Sequence, residues 1–398
     1  MMVTDHSEQK KTIVFFAHKG GDDHITGAEN YLLFLLKEMK ERHHCIVVSP
    51  LQSMFTVKVA ALETEVIITP YPMCWKLWQP DETIAEHLEK ILVDPSKHEL
   101  AGLIKEKQAD LVVTNTSVNP LPAIAAKQVA VPVVWIASEV IAENEFTKET
   151  VSFIHHYSNW IIGVSNAVLK PFHTENLQRK TFLLHPTIDH NRIQLSVLNR
   201  QGELFRHKLR IKKKDLLIAC IAAYISPIKG FDHFIEMAIL LCRKHQHVHF
   251  LLLGNPTDQA FFKKCQRMIA RSRFKHKFHF LHFEANMDTV YPGLDIVVIP
   301  SVVEEGFSLV CQESLFLAKP VVAYHSGGLI EQLQKTAHPQ FLVGKGNIPA
   351  LEQKVSHLIK NHGLRKRVGQ MNRVAAIKHF GVDHYRGQLS IILEKVFQ

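Results

Sequence analysis

Short apolar runs alternate with amphipathic stretches along most of this 398-residue chain. Apolar runs typical of buried strands occur in the first half at residues 12–17, 45–48, 66–68, 111–113, 133–136 and 160–164. A second series occurs at residues 216–221, 248–253, 278–281 and 296–299. Helical spacing separates many of them, for example at residues 31–42, 83–92, 123–128, 231–242 and 261–269. This alternation predicts an α/β fold with parallel sheets covered by helices on both faces.

The two series are separated by a change of pattern. Residues 186–200 are polar and residues 206–215 are strongly basic, so we place a domain boundary near residue 190. We predict one doubly wound domain over residues 1–190, a second over 191–379, and an amphipathic helix within 380–398. Two such domains in series predict a cleft that suits a nucleotide-linked substrate on one side and a second substrate on the other.

The most informative stretch is residues 299–331. A buried strand ends at Pro300, a turn follows at Glu305, and a helix is predicted over residues 308–318. A further strand at residues 321–323 precedes the Gly327–Gly328 turn. Two carboxylates therefore lie eight positions apart, Glu305 after a strand and Glu313 within the next helix. The carboxyl ends of parallel strands are where open α/β sheets bind ligands.

The residue types in this stretch favour binding of a sugar. The N–H groups of Gly306, Phe307 and Ser308 open a helix and are expected to be partly unpaired, so they can bind ligand oxygens. Glu305 could accept hydrogen bonds from hydroxyls or stabilise a developing positive charge, and Glu313, about two turns on, could hold a ribose diol. A pair of solvated carboxylates remains the simpler alternative. Glu304 competes for the first role, but the Gly-Phe that follows favours Glu305.

Two further loops follow strands. Lys229 comes after the strand at 216–221 and directly before a helix, a position suited to a diphosphate, although a surface lysine is the simpler interpretation. The glycine-containing loop 18–30 lies between the first strand and the first helix, so its N–H groups could face an anion or a sugar. It matches no dinucleotide or Walker pattern and is weak support alone.

Taken together, these motifs resemble the retaining glycosyltransferases of GT-B fold in the E-x7-E group, glycosyltransferase family 4-like or group 1. The second-domain matches are Pro300-Ser301, Glu305-Gly306-Phe307, Glu313, Lys319-Pro320-Val321-Val322, Gly327-Gly328-x-x-Glu331 and Ser226-Pro227-x-Lys229-Gly230-Phe231. Looser matches are Thr26-Gly27-Ala28-Glu29, Gly163-Val164-Ser165-Asn166 and residues 382–397.

The resemblance implies two Rossmann-like domains facing across a cleft, with the final helix crossing back to the first domain. It implies transfer of a sugar, with retention, from a nucleotide diphosphate sugar such as a UDP- or GDP-sugar to a hydroxyl acceptor. Front-face attack by that hydroxyl is the expected route. No cofactor and no metal are expected, because lysine and helix N-termini offset the diphosphate charge. The acceptor would be a glycan, a cell-envelope polysaccharide or a glycolipid.

The resemblance also assigns roles to individual residues. Glu305 would contact the transferred sugar, Lys229 would neutralise the diphosphate, and Glu313 would hold the ribose. The remaining donor contacts would come from Gly306, from the backbone of Phe307, Ser308 and Leu309, from Gly27 of the facing domain, and from a base pocket at Leu281, His282 and Phe283.

Two positions depart from the family pattern. Tyr224 stands where an arginine is usual at the phosphate site, which removes or displaces a contact typically worth ~1.5–3 kcal/mol. Ser138 and Glu139 follow the fifth strand, where a histidine is frequent, and His18 and His24 are candidates to replace it. A catalytically weak relative that binds nucleotide sugar or glycan as a module is therefore the alternative function. A phosphorylase is less favoured.

Composition limits the partners. The net charge is +9, and no apolar run reaches the ~20 residues that span a bilayer. The polar N-terminus and six scattered cysteines indicate a cytoplasmic protein with reduced thiols. Nucleic acid is not expected, because no basic motif with interleaved aromatics is present. Trp75-Lys76-Leu77-Trp78 could place the protein peripherally on the anionic inner face of a membrane, with a packed segment as the alternative.

Overall fold

The computed structural model describes residues 10–20, 25–193, 195–282, 287–336 and 339–398. It divides into two compact units. The first unit comprises the chain up to residue 185 together with residues 388–398, and the second comprises residues 186–387. Each unit is built around its own sheet.

The first unit contains a parallel sheet with strand order β3-β2-β1-β4-β5-β6-β7. Its strands are β1 (Thr12–Phe16), β2 (His44–Ser49), β3 (Glu65–Ile68), β4 (Leu111–Asn115), β5 (Val133–Ala137), β6 (Trp160–Gly163) and β7 (Thr181–Leu183). Its helices are α1 (Gly27–Met39), α2 (Met54–Ala60), α3 (Ile84–Val93), α4 (Ser96–Glu106), α5 (Leu121–Gln128), α6 (Thr147–Tyr157), α7 (Asn166–Leu169) and α8 (Glu175–Gln178).

The second unit contains a parallel sheet with strand order β10-β9-β8-β11-β12-β13. Its strands are β8 (Leu216–Tyr224), β9 (Val248–Asn255), β10 (Phe278–Leu281), β11 (Ile296–Ile299), β12 (Val321–Tyr324) and β13 (Leu342–Val343). Its helices are α9 (Leu195–Lys208), α10 (Phe231–Lys244), α11 (Gln259–Ala270), α12 (Leu309–Phe316), α13 (Gly328–Gln334), α14 (Ile348–Lys360) and α15 (His362–Phe380). The last helix, α16 (Val382–Val396), begins in the second unit and ends in the first.

Apolar layers cover both faces of the second sheet. Phe231, Phe234 and Phe250 lie in one buried cluster with side chains of β8, β9, β11 and α14. Phe316 and Phe380 lie in the other, with α9, α12 and the opposite faces of the same strands. Burial on both faces explains why these strands read as continuous apolar runs rather than as alternating patterns.

Strand order reverses once in each sheet. In the first sheet the reversal lies between β1 and β4, and in the second it lies between β8 and β11. The loops that leave two such neighbouring strands diverge, which opens a crevice at the carboxyl edge of the sheet. Ligand-binding side chains are therefore expected at these two crevices.

The predicted fold class is confirmed, since both halves are parallel α/β sheets of Rossmann type. Three local predictions differ from the structure. The polar stretch 186–200 contains the start of α9, the short edge strand β7 was not predicted, and α1 begins at Gly27 rather than at Tyr31. Polar residues on an exposed helix face and a strand with no fully buried residue leave little apolar signal.

Candidate functional site

Lys229 and Glu305 meet at the crevice of the second sheet. Lys229 ends a 3-10 turn, Pro227–Lys229, five residues beyond β8, and Glu305 follows β11. The Lys229 Nζ donates to the Glu305 Oε1 over 2.7 Å. The two side chains are 32% and 12% exposed, so the carboxylate is largely shielded while the ammonium can still reach solvent.

The pKa of Glu305 reflects this pairing. Burial raises the pKa, but the charge and hydrogen bond of Lys229 and a hydrogen bond from Ser301 outweigh it, and the net shift is downward. Ser301 is buried, and its Oγ donates to the same oxygen that Lys229 contacts. Glu305 is therefore held ionised in one orientation.

The two loops are fixed to each other through their backbones. The Val302 N–H donates to the Ile228 carbonyl over 2.9 Å. Gly230 has φ +68°, and a Cβ there would lie 2.0 Å from the Pro300 carbonyl oxygen. Only glycine allows this approach, so the short Lys229–Glu305 distance depends on Gly230.

Glu304, the neighbour of Glu305, has a different role in the structure. Its carboxylate accepts from the Gly327 N–H and from Lys345. The Gly328 N–H donates to the Glu305 carbonyl over 2.7 Å. Gly327 has φ +46°, and a Cβ would lie 2.1 Å from that same carbonyl oxygen. Glu304 thus anchors the glycine turn, which leaves Glu305 as the carboxylate that faces Lys229.

Glu313 lies one helix further on, in α12. Burial raises its pKa to about 7, opposed by the nearby Tyr291 hydroxyl and reinforced by Asp288. Near neutral pH it can therefore either donate or accept a hydrogen bond. That property suits a hydroxyl pair, which needs both.

The backbone amides at the start of α12 are not equivalent. The Ser308 N–H donates to the Gln332 Oε1 over 3.2 Å, and the Gln332 amide donates back to the Ser308 carbonyl over 3.0 Å. The Ser308 hydroxyl caps the Cys311 N–H. Ser308 is thus engaged within the unit, while Gly306 and Leu309 flank it on the partly exposed part of the loop.

The other expected donor residues are spread more widely. Tyr224 is the last residue of β8 and pairs with Asn255 across a register irregularity. His282 is exposed beyond β10, and β8 and β9 lie between β10 and β11. Gly27 is the exposed first residue of α1, in the first unit. His24 and Phe283 lie outside the described residues.

The crevice of the first sheet is polar but has no ion pair of this kind in the described part of the chain. Thr26 caps α1, and the Glu29 carboxylate accepts from the Thr26 N–H over 2.7 Å. His18 is buried beside Thr26, and burial lowers its pKa to about 4. The start of α1 is therefore filled by its own glutamate.

Strained and unpartnered groups lie next to it, after β4 and β5. Thr116 has φ +76°, unusual for a β-branched residue. The Ser117 N–H donates to Glu139 over 2.8 Å, and burial raises the pKa of Glu139. The buried oxygens near this crevice that lack a hydrogen bond in the described structure include Asn115 Oδ1, Thr116 Oγ1 and Ser138 Oγ. Buried polar groups of this kind usually hydrogen-bond to water or to a polar ligand.

Sequence reasoning gave no role to four residues that shape the site. Ser301 orients Glu305, Tyr291 faces Glu313, Gln332 clamps Ser308, and Lys345 pairs with Glu304. Ser301 belongs to the Pro300-Ser301 motif and directly follows a strand, so the sequence contained a usable signal for its role. The other three are distant in sequence from their partners and gave none.

The Trp75 segment is mostly packed. Leu77 is buried and Lys76 pairs with Asp81, so Trp75, 55% exposed, is the apolar residue of this segment that faces solvent. Among the described residues, no helix combines the length and apolar character needed to cross a bilayer. The same residues contain no acidic, histidine or cysteine cluster arranged for a metal ion.

Residues 202–374, which include Lys229, Glu305 and Glu313, match the family of glycosyl transferases group 1. The expected similarity to group 1 glycosyltransferases is thus confirmed for most of the second unit, residues 202–374. An uncharacterized glycosyltransferase of Methanocaldococcus jannaschii is 29% identical over 38% of this chain and 40% of its own length. A trehalose synthase of Pyrococcus horikoshii is 25% identical over 62% of this chain and 60% of its own. The chain thus matches less than two thirds of either relative.

Solved structures resemble the fold of nearly the whole chain. HepE of Anabaena, solved with UDP, has a TM-score of 0.79 and 20% identity, covering 96% of this chain and 100% of that one. The same protein solved with UDP-glucose gives 0.78 and 19%, covering 96% and 99%. At this identity the likeness shows the fold, which is GT-B.

Proposed function

We propose that this protein transfers a sugar from a nucleotide diphosphate sugar to a hydroxyl acceptor with retention of anomeric configuration. The observation that carries the proposal is the Lys229–Glu305 ion pair at the crevice of the second sheet, within residues 202–374. A cation for the diphosphate and an oriented carboxylate for the sugar lie within one hydrogen bond of each other.

Lys229 is the proposed phosphate ligand. Its ammonium is partly exposed and its present partner is Glu305, so it can turn from the carboxylate to an incoming diphosphate. The start of α10 directly follows it and has no side-chain cap, which adds a positive helix end. Together these groups offset the negative charge that grows on the leaving diphosphate. The proposed chemistry therefore needs no metal.

Glu305 would act on the sugar. Once Lys229 binds phosphate, the Glu305 carboxylate is still oriented by Ser301 and faces a centre that becomes positive as the glycosidic bond breaks. In the proposed front-face step, the acceptor oxygen bonds to the anomeric carbon as the bond to the phosphate oxygen breaks. The acceptor hydroxyl proton passes to that phosphate oxygen.

Glu313 would hold the ribose. Its raised pKa, about 7, lets it bind a diol as either donor or acceptor. Gly306, Phe307 and Leu309 would contribute further donor contacts. Tyr224 would lie at the phosphate site, His282 nearer the base, and Gly27 would contribute from the first unit. The first unit is the proposed acceptor domain, with its polar crevice suited to hydroxyls.

A UDP-hexose is the first donor to examine, because a protein of the same fold was solved with UDP-glucose. A GDP-sugar is the second. The proposed acceptor is a glycan, a cell-envelope polysaccharide or a glycolipid, made in the cytoplasm. The departures at Tyr224 and at Ser138–Glu139 concern the phosphate site and the first unit, and do not remove Lys229, Glu305 or Glu313.

The test compares two neighbouring carboxylates. UDP- and GDP-sugar consumption is measured for the wild type, for Glu305→Gln and for the matched control Glu304→Gln. We expect Glu305→Gln to lower turnover about a hundredfold or more while UDP still binds, since the lost interaction forms mainly in the transition state. Equal turnover by Glu305→Gln and the wild type would remove Glu305 from the mechanism.

The departure at Tyr224 favours a second function, a binding module for nucleotide sugar. It predicts donor binding with neither hydrolysis nor transfer across a broad acceptor panel.

Retention is tested separately, by determining the anomeric configuration of any product by NMR. An inverted product would refute the front-face step while leaving the donor site intact.

A further inference from the structure

Positive charge in this chain is concentrated in three segments of the second unit. Residues 208–215, 243–247 and 271–277 are here called the basic edge. They contain a single carboxylate, Asp215, and eleven lysines and arginines, namely Lys208, Arg210, Lys212, Lys213, Lys214, Arg243, Lys244, Arg271, Arg273, Lys275 and Lys277. Because the whole chain has a net charge of +9, the rest of it is close to neutral.

The fold brings these segments side by side. Each one directly precedes one of the strands β8, β9 and β10, which are neighbours in the sheet. Leu216 pairs with Val248, and Phe278 pairs with Phe250, so the three strands begin at nearly the same level. Neighbouring strands are about 4.8 Å apart. The basic edge is thus continuous, and it lies at the end of the sheet opposite to Lys229 and Glu305.

Little in the described structure neutralises this charge. All of these cations except Lys277 are exposed. The carboxylate that pairs with one of them is Glu352, 2.8 Å from Lys244. Asp215 is buried and lies between His247 and His249, while the Lys277 ammonium donates to the Gln246 carbonyl over 2.8 Å. Uncompensated like charges at this density repel one another, so folding alone does not explain them.

The surroundings of the basic edge distinguish between anionic partners. Phe274, the aromatic residue between Arg273 and Lys275, packs against the core and lies under the Arg273 guanidinium, so it is not a stacking platform for bases. Helix α9 leads into the edge, and Leu204, one turn before Lys208, is 65% exposed. Lysines and arginines beside an exposed aliphatic side chain fit a surface of anionic headgroups over hydrocarbon.

We propose that the basic edge docks the protein on an anionic lipid bilayer. Lysines and arginines near such a surface each add to binding, and the sum over this edge is sufficient for stable attachment. The carboxyl edge with Lys229 and Glu305 then faces away from the bilayer. Because β8 has nine residues, about 3.3 Å each, that edge stands roughly 30 Å from the headgroups. This surface is independent of the proposed reaction and of Trp75.

The test is co-sedimentation of the full chain with vesicles. Phosphatidylcholine vesicles are compared with vesicles that also contain phosphatidylserine, at low and at high salt. We expect binding only with phosphatidylserine, and loss of binding at high salt. Lys212→Gln, Lys213→Gln and Lys214→Gln combined should weaken partitioning about a hundredfold, and Leu204→Ser should weaken it severalfold.

The matched control neutralises three exposed lysines of the first unit, Lys58, Lys105 and Lys148, in the same way. It should partition nearly as the wild type does. Equal losses in the two triple variants would overturn the proposal, as would binding to both vesicles alike. Binding to heparin fragments or to an oligonucleotide without vesicle binding would also overturn it, in favour of a polymeric anion. UDP affinity of each variant shows that the donor site stays intact.

Discussion

The crevices of the two sheets have the same topology and different chemistry. In the second unit, the loops after β8 and β11 bring Lys229 to Glu305, and α10 begins at Phe231 without a side-chain cap. In the first unit, the loops after β1 and β4 surround buried polar groups, and Glu29 fills the start of α1. A crevice at a strand-order reversal is thus a place for ligands, and the side chains decide which ligands.

The charges at the two crevices favour different ligands. A partly exposed cation beside a helix start that has no side-chain cap favours a diphosphate, whereas a carboxylate at a helix start repels one. A neutral His18, whose pKa burial lowers to about 4, and the unpartnered oxygens of Asn115, Thr116 and Ser138 favour uncharged hydroxyls. The comparison therefore supports the proposed donor site in the second unit and the proposed polyol acceptor site in the first.

The largest expected effect concerns the glycine turn that supports Glu305. In Gly327→Ala, the new Cβ would lie 2.1 Å from the Glu305 carbonyl oxygen at a positive φ. We expect a loss of at least about 3 kcal/mol in stability, or a displaced Glu305 with UDP binding impaired. Thermal unfolding with and without UDP measures both.

Gly346 provides the control for this substitution. It also has a positive φ, +78°, but a Cβ there meets no atom within 4 Å. Gly346→Ala should therefore cost only the strain of the backbone, about 1 kcal/mol. Equal melting temperatures for the two variants would show that the contact with Glu305 is unimportant.

The second prediction concerns the contribution of Glu313 to the pH dependence of stability. The pKa of Glu313 is about 7 in the folded chain against an ordinary 4.5. The folded state therefore holds this proton more tightly, so the stability is full below about 4.5 and falls as the pH rises to about 7. Glu313→Gln should add about 2 kcal/mol of stability at alkaline pH and almost nothing at acidic pH.

Urea unfolding at both pH values checks this prediction, with the exposed Glu203→Gln as control. The control should show no pH-dependent gain. A Glu313→Gln variant with the same pH dependence as the wild type would mean that Glu313 is not desolvated in solution.

The sequence predicted the sheets well and the site in part. A buried strand such as β11 begins and ends where its apolar run does, because burial on both faces requires uninterrupted apolar residues. Lys229 and Glu305 were each candidates because of their position after a strand, and the family resemblance assigned their roles. Their pairing was not predicted, since it depends on β8 and β11 being neighbours, which follows from strand order.

Other parts of the site were beyond sequence reasoning for a physical reason. The Ser308 N–H was expected to face a ligand, yet Gln332 of α13 receives it, and a single buried glutamine has no sequence signature. Tyr291 likewise affects Glu313 only through tertiary packing. Local patterns report local backbone, whereas side-chain partners depend on the folded chain.

The smallest expected effect compares two helix caps. Thr26→Ala and Ser308→Ala each remove a side-chain cap, of α1 and α12, so each should cost about 1 kcal/mol in urea unfolding. Only Ser308→Ala should also weaken UDP binding, by a few fold, because α12 carries the loop with Glu305. Weaker UDP binding in Thr26→Ala alone would reverse the assignment of donor and acceptor units.

The most direct test of the account is UDP affinity by calorimetry in Lys229→Met and Lys345→Met. Both lysines pair with adjacent carboxylates, Glu305 and Glu304, but the proposal gives only Lys229 a diphosphate to bind. We predict a Kd that rises about 10- to 150-fold in Lys229→Met and changes little in Lys345→Met. An unchanged Kd in Lys229→Met, or equal losses in both variants, would contradict the proposed donor site.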